Sequence, residues 1–285
     1  MSCLQFRIGP VGWALQAAGA GEIRYPAAAY APFVVTDGAG WPPPVLMSLA
    51  VRAGGCQAPE SEPLFRAGRN WALWDDGDGF FVASGREGNP ARRGCRVCRR
   101  LTDGVLWAGD QPLDSPLRYP LDQVLSWGML ARCGGILLHA AGVVRDGVGL
   151  VFAGKSRAGK STVSGLCHTA GWDVLNDDRV MIYQEVGEWK VAGTPWHGSG
   201  RFWQNRQVPL GGIFVLQQDR VDVAVQLGVR EARLALLDSV SVPWFEPSWS
   251  QGALDVVAAV TAVVPVSRFR FTRSVSAVAA LEKQF

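Results

Sequence analysis

The chain of 285 residues lacks several features that would assign it to a specialised class. No stretch approaches the roughly 18 to 20 uninterrupted apolar residues that a membrane-spanning helix needs, and no basic segment followed by an apolar one opens the chain. The 28 Lys and Arg residues exceed the 25 Asp and Glu residues by too little to indicate nucleic acid or a membrane as a partner. The six cysteines, without a secretory signal, favour reduced thiols. These absences predict a cytoplasmic protein.

What the chain does have is enough apolar residues, 48%, to fill one large core or two modest ones. The first hundred residues are rich in Trp, Pro and Gly, and their short apolar runs at 71–74 and 79–83 are separated by turn-forming residues, a pattern typical of hairpins. Segment 109–120 contains three prolines and few apolar residues, which favours a domain boundary. We therefore predict a smaller β-rich domain over residues 1–115 and a second domain over residues 116–285.

The second half alternates between the helical and the strand pattern. Two apolar runs, 136–144 and 148–153, are joined by a hairpin-like connection at 145–147. The pattern also predicts strands within 172–183 and over 189–193, 212–217, 221–226 and 266–271, and helices over 121–133, 161–170, 229–237, 253–263 and 275–281. Such alternation predicts an α/β layer fold with a central sheet.

A glycine-rich segment lies between the predicted strand 148–153 and the predicted helix 161–170. It fits the pattern G-x-x-x-x-G-K-[ST] at every required position, and its residues are Gly154, Lys155, Ser156, Arg157, Ala158, Gly159, Lys160, Ser161 and Thr162. In such a loop the backbone N–H groups and the N-terminus of the following helix bind phosphate oxygens. The lysine reaches the β- and γ-phosphates and the hydroxyl holds Mg²⁺. This glycine loop (residues 154–162) predicts a site for ATP and Mg²⁺.

An acidic pair, Asp177 and Asp178, follows the glycine loop by about one helix and a turn. Adjacent side chains on a strand point to opposite faces, so one carboxylate would bind Mg²⁺ and the other would accept the proton of an attacking hydroxyl. The alternative is a polar turn closed by an ion pair between Asp178 and Arg179.

Over residues 137–182 the sequence resembles the bacterial HPr kinase/phosphorylases and related serine kinases. The resemblance consists of His139 on the strand before the glycine loop, the loop itself, and the acidic pair after it. It implies a P-loop kinase with a phosphoenolpyruvate-carboxykinase-like core, preceded here by the β-rich domain. It also implies that His139 lies near the transferred phosphate, that Lys160 and Ser161 hold ATP and Mg²⁺, that Asp177 is the general base, and that Asp178 is the carboxylate on the metal side. The two aspartate roles stay open to exchange.

Two departures from the family pattern indicate a divergent branch. Thr162 replaces the glutamate that commonly ends the family's loop, and segment 193–201, with His197 and Arg201, stands where a glycine-rich Arg-Gly-Leu-Gly signature is expected. We therefore expect a kinase whose acceptor is a serine of a protein or peptide, either an HPr-like protein or a peptide natural product precursor.

A small-molecule kinase and a nucleotide-binding switch without phosphotransfer remain alternatives, and a buried Asp177 would favour the switch. Homo-oligomerisation also stays open.

The densest basic run surrounds Cys95 and Cys98. This run favours a solvated loop or an edge strand protected by arginine, and the alternative is a docking patch for an acidic or phosphate-rich partner. Zinc binding by these two thiols with Cys3 and Cys56 is the weaker alternative, since a second C-x-x-C pair at zinc-ribbon spacing is lacking. The arginines concerned are Arg92, Arg93, Arg96, Arg99 and Arg100.

Overall fold

The computed structural model describes residues 3–19, 21–25, 27–36, 42–85, 92–109 and 113–284. The chain divides into two compact units, Met1–Met129 and Leu130–Phe285, called the N-terminal and C-terminal units below. The division falls within helix α1 (Leu121–Arg132), whereas the sequence placed the boundary before this helix. In the part of the chain that the structure describes, no helix is long and apolar enough to cross a membrane.

The described residues of the N-terminal unit form a nine-stranded sheet. Its strands are β1 (Cys3–Ile8), β2 (Val11–Ala17), β3 (Val34–Val35), β4 (Val45–Arg52), β5 (Phe65–Ala67), β6 (Trp71–Asp75), β7 (Gly79–Ser84), β8 (Arg93–Cys98) and β9 (Asp103–Trp107). Their order across the sheet is β3-β1-β2-β4-β9-β8-β7-β6-β5. Strands β6 and β7 pair antiparallel, which confirms the predicted hairpin.

The arginine-rich segment lies inside this sheet. Strand β8 is hydrogen-bonded to β7 on one side and to β9 on the other, so the expectation of a solvated loop or an edge strand was wrong. Carboxylates near the β6–β7 turn balance the charge of two of these arginines. Arg96 pairs with Asp76, and Arg99 Nη2 lies 2.6 Å from Asp75 Oδ1. A charged side chain on the solvent-facing side of a central strand needs only such a surface partner.

The C-terminal unit contains the second sheet. Its strands are β10 (Gly135–Leu138), β11 (Ala140–Arg145), β12 (Val148–Ala153), β13 (Asp173–Asn176), β14 (Val180–Glu185), β15 (Glu188–Gly193), β16 (Gln207–Gln218), β17 (Val223–Gln226) and β18 (Val266–Phe271). The main path is β10-β14-β15-β16-β12-β11-β13, and β18 pairs with both β16 and β17. Strand β12 lies between β11, antiparallel to it, and β16, parallel to it.

Helices cover both faces of this sheet. They are α2 (Lys160–Thr169), α3 (Val229–Leu237), α4 (Pro247–Val263) and α5 (Ser276–Glu282). Successive side chains of β12 alternate between the faces: Leu150 and Phe152 join the core beneath α2 and α5, while Val151 and Ala153 join the core beneath α3 and α4. A strand buried on both faces reads as a continuous apolar run, which is how the sequence identified it.

Most of the predicted elements of the C-terminal unit are confirmed, including the β11–β12 hairpin, α2, α3, β18 and α5. Two details were wrong. The run predicted as one strand over 136–144 is two strands, interrupted at His139, and the acidic pair lies in a turn between β13 and β14 instead of within a strand. The resulting fold is mixed α/β, with two sheets and few helices.

Candidate functional site

The glycine loop joins the carboxyl end of β12 to the N-terminus of α2. Gly159 has a φ of 108°, and a Cβ added there would come within 2.5 Å of the Phe271 ring. Only glycine combines this backbone conformation with so close an approach. The loop therefore places the free N–H groups at the start of α2 next to an open space at the carboxyl ends of β12 and β16, the place where open α/β sheets bind ligands.

Lys160, the first residue of α2, is almost fully buried at 7% exposure. Its ammonium Nζ donates hydrogen bonds to the carbonyl oxygens of Gly154 at 2.9 Å and Lys155 at 3.2 Å. Burial lowers the pKa of this ammonium below its ordinary value, although the charge of Asp178 acts in the opposite direction. The lysine side chain thus folds back over the glycine loop, where its ammonium is hydrogen-bonded to two uncharged carbonyl groups.

Asp178 and His139 form a pair beside the glycine loop. His139 Nε2 lies 2.9 Å from Asp178 Oδ1, and Arg179 Nε lies 3.8 Å from Asp178 Oδ2. Burial raises the pKa of the Asp178 carboxyl, but the hydrogen bond from His139 and the charges of Arg179 and Lys160 outweigh it and hold the pKa below its ordinary value. Asp178 is therefore an ionised carboxylate, and its side chain is 30% exposed.

Asp177 has a different environment from its neighbour. It is only 1% exposed and accepts hydrogen bonds from three backbone N–H groups, those of Gly198 at 2.9 Å, Gly200 at 2.6 Å and Phe202 at 3.4 Å. A Cβ added at Gly198 or Gly200 would lie 2.8 Å from Asp177 Oδ2. The carboxylate of Asp177 therefore fixes the conformation of segment 198–202, which we call the cap loop.

Asn176 sets the turn that directs the side chains of Asp177 and Asp178 in different directions. Its Oδ1 accepts hydrogen bonds from the backbone N–H groups of Asp178 and Arg179, both at 2.7 Å, and its Nδ2 donates to the Thr194 carbonyl at 2.8 Å. This side chain replaces the strand ladder with a local turn. As a result Asp177 points into the cap loop while Asp178 reaches His139.

Ser239, just after α3, anchors two parts of the site at once. Its backbone carbonyl accepts from the N–H of His139 at 2.7 Å, and its hydroxyl accepts from the N–H of Gly154 at 2.9 Å. Sequence reasoning missed this residue, because a serine after an amphipathic helix carries no signal of a partner 85 positions away.

The other side of the glycine loop is anchored by Gln218, the last residue of β16. Gln218 Nε2 donates to the Arg157 carbonyl at 2.9 Å and Gln218 Oε1 accepts from Arg273 Nη2 at 2.9 Å. Arg273 thereby brings a guanidinium to the same space as Lys160, which the sequence did not predict.

These groups meet in one open cavity of about 440 Å³. Sequence-predicted residues that the structure brings together there are His139, Ser156, Arg157, Gly159, Lys160, Ser161, Thr162 and Asp178. Gly198, Ser199, Gln218 and Arg273 complete the lining. Asp177 does not line this cavity, and Gly154, Lys155 and Ala158 line a neighbouring one of about 460 Å³ against α3.

The oxygen atoms of Ser161 and Asp178 in the cavity suit a hard cation whose remaining ligands are water and phosphate. Among the described residues no three His, Cys, Asp or Glu side chains lie close enough to hold a metal by themselves, and this includes Cys3, Cys56, Cys95 and Cys98. Mg²⁺ is usually held by one or two protein oxygens together with water and phosphate. Ser161 and Asp178 suit that mode of binding.

Among known protein families, one matches part of this sequence. The sequence profile of a family described as "SynChlorMet cassette protein ScmC" matches residues 123–260, slightly less than half of the chain. No curated protein matches. Among solved structures the chain is similar to the Hpr(Ser) kinase/phosphatase from Coxiella burnetii, with 12% sequence identity, over 52% of this chain and 99% of that one, and with a TM-score of 0.28.

Proposed function

We propose that this chain is an ATP-dependent phosphotransferase that uses Mg²⁺ and transfers the γ-phosphate to a hydroxyl, that of a serine in a protein or peptide. The observation that carries the proposal is the meeting of Lys160, Ser161, Asp178 and His139 in one open cavity. The glycine loop supplies phosphate recognition, and the Asp178–His139 pair supplies an ionised carboxylate and a base within hydrogen-bond distance of each other.

The glycine loop would bind the phosphates of ATP through its backbone N–H groups and those of the first turn of α2. Lys160 would exchange its two carbonyl acceptors for phosphate oxygens, a change that a flexible side chain makes by rotation alone. The guanidinium of Arg273 reaches the same cavity, where an added positive charge stabilises charge that develops on the transferred group.

For the acidic pair we propose an assignment that differs from the sequence-based one. Asp177 is buried and already accepts three backbone N–H groups, so it serves as the anchor of the cap loop. Asp178, ionised and half-buried, is better suited to Mg²⁺ together with Ser161, because a carboxylate with a lowered pKa is a weak proton acceptor. Bound Mg²⁺ neutralises negative charge on the phosphate oxygens.

His139 is then the group that accepts the proton of the attacking serine hydroxyl. Asp178 orients the imidazole through its Oδ1, as a carboxylate orients the histidine in other base-assisted reactions. With Nε2–H donated to Asp178, the lone pair of Nδ1 is the acceptor site.

The test is transfer of labelled γ-phosphate from ATP to candidate peptides encoded near this gene, read out by mass spectrometry. The proposal predicts a phosphoserine peptide that appears only with Mg²⁺ and ATP and forms about 10²- to 10⁴-fold more slowly with His139→Gln. A product that forms equally well with His139→Gln would contradict the assignment of the base.

A nucleotide switch remains the second candidate, and the burial of Asp177 favours it, since the sequence-predicted base has no path to an acceptor. In a switch, ATP would alter the cap loop through Ser199, which lines the same cavity. Tight ATP binding without transfer to any candidate peptide would select this function.

A further inference from the structure

The N-terminal unit contains a cavity of its own, of about 330 Å³, near β6 and the start of β8. Its described lining includes three arginines, Arg66, Arg69 and Arg92, together with Trp71 and Ala72 of β6. The described lining residues include no carboxylate. A concave site of this composition concentrates positive charge against an apolar wall.

Arg92 is the residue that makes this cavity a built site. It is only 6% exposed, and its guanidinium packs over the Trp74 ring with 5.5 Å between Cζ and the ring centroid. Its backbone carbonyl accepts from the N–H of Cys56 at 2.8 Å, which fixes its position at the start of β8. In the part of the chain that the structure describes, the buried Nε has no hydrogen-bond partner.

Two other arginines of the same segment have the carboxylate partner that Arg92 lacks among the described residues. Arg96 pairs with Asp76 and Arg99 pairs with Asp75, and both are exposed to solvent that screens them. Arg92 is buried, and a guanidinium stays charged because it does not lose its proton in proteins. A buried charge is favourable only when an opposite charge or a full set of hydrogen-bond acceptors accompanies it.

We propose that this cavity binds a ligand that carries a carboxylate or phosphate group. The buried guanidinium of Arg92 receives the anionic group, and Arg66 and Arg69, both exposed, add positive charge at the mouth. Arginine suits this role because its planar fork matches both oxyanions. The site is independent of the function proposed for the C-terminal unit.

The test uses ¹⁹F NMR of protein labelled with 5-fluorotryptophan, which reports the 12 tryptophans separately. The reporter is Trp74, whose ring packs against the Arg92 guanidinium, and its signal is assigned by its loss in Trp74→Phe. Inorganic phosphate and succinate are titrated in turn, with sodium chloride at matched ionic strength as the reference. All titrations are repeated with Lys160→Ala, so that phosphate bound at the glycine loop is separated from phosphate bound here.

We expect the Trp74 signal to shift saturably with at least one of the two anions, in wild type and in Lys160→Ala alike, because the Arg92 guanidinium packs over its ring. The anion that causes the shift identifies a phosphate or a carboxylate ligand. The double variant Arg66→Gln/Arg69→Gln should raise the half-saturating concentration at least about tenfold, whereas the double variant Arg52→Gln/Arg220→Gln, which removes the same two charges at exposed positions outside the lining, should leave it unchanged. A shift that chloride reproduces, a shift that Arg66→Gln/Arg69→Gln retains, or no shift with either anion would overturn the proposal.

Discussion

The two adjacent aspartates should respond to the same substitution in opposite ways. Asp177→Asn keeps the size of the side chain but replaces one acceptor oxygen with an NH₂ group. Both oxygens are in use, Oδ1 by Gly198 and Phe202 and Oδ2 by Gly200. Whichever way the amide turns, its NH₂ faces a buried N–H group, so at least one backbone donor is left without an acceptor.

The magnitude follows from these contacts. A hydrogen bond to a charged group contributes about 1.5–3 kcal/mol, and a buried donor left unsatisfied costs about 1–3 kcal/mol. Because the effects overlap, we expect Asp177→Asn to lower the free energy of unfolding of the C-terminal unit by about 2–4 kcal/mol. For a unit of this size each kcal/mol corresponds to about 2–4 °C in Tm, which predicts a decrease of about 5–15 °C.

The matched control is Asp178→Asn, assayed by thermal and urea denaturation alongside wild type. Its side chain is partly exposed, so its hydrogen bond and ion pairs should contribute about 1 kcal/mol or less to stability. In the transfer assay the order reverses, because Asp178→Asn removes a ligand of Mg²⁺ and should raise the metal concentration needed for half-maximal activity. If Asp177→Asn unfolds like wild type, binds ATP and yet loses transfer, Asp177 is the general base and its role as anchor of the cap loop is refuted.

Three further predictions concern the rest of the site. Removal of Mg²⁺ by excess chelator should abolish transfer, since Ser161 and Asp178 bind a cation only together with phosphate and water; undiminished turnover would contradict the metal assignment. His139→Gln should lower transfer by about 10²- to 10⁴-fold with ATP affinity unchanged by calorimetry, and a loss of ATP affinity instead would make His139 a binding residue. Ser239→Ala leaves the buried N–H of Gly154 without its acceptor, so it should destabilise the unit by about 1–3 kcal/mol and weaken ATP binding; unchanged denaturation curves would show that the glycine loop does not depend on this contact.

The parts of the site that depend on local sequence could be predicted. The glycine loop and helix α2 follow from a contiguous pattern in which an apolar strand, two glycines and a helix-forming segment occur in order. The β11–β12 hairpin follows from two apolar runs with Asp146 and Gly147 between them, both at positive φ.

The orientation of the acidic pair could not be predicted, because it depends on partners far along the chain. Asp177 is held by backbone N–H groups 21 to 25 positions later in the chain. The turn that directs its side chain away from that of Asp178 depends on the hydrogen bond from Asn176 to the Thr194 carbonyl. A strand and a turn allow opposite arrangements of two neighbouring carboxylates, and only the tertiary contacts choose between them.

The interruption at His139 was likewise invisible in the sequence, since apolar residues run on both sides of it. The break arises because β10 pairs with β14 while β11 pairs with β12 and β13. Between these two pairings the backbone N–H of His139 turns to Ser239 instead, which places the imidazole beside Asp178.

Binding of ATP through Lys160, in the cavity at the glycine loop, can be tested by isothermal titration calorimetry without knowledge of the acceptor. With Mg²⁺ present, wild type should bind one ATP per chain. Folded Lys160→Ala should lose at least about 10²-fold in affinity, the scale of a preorganised electrostatic contact. Absence of ATP binding to wild type at millimolar nucleotide, or equal affinity in Lys160→Ala, would contradict the account.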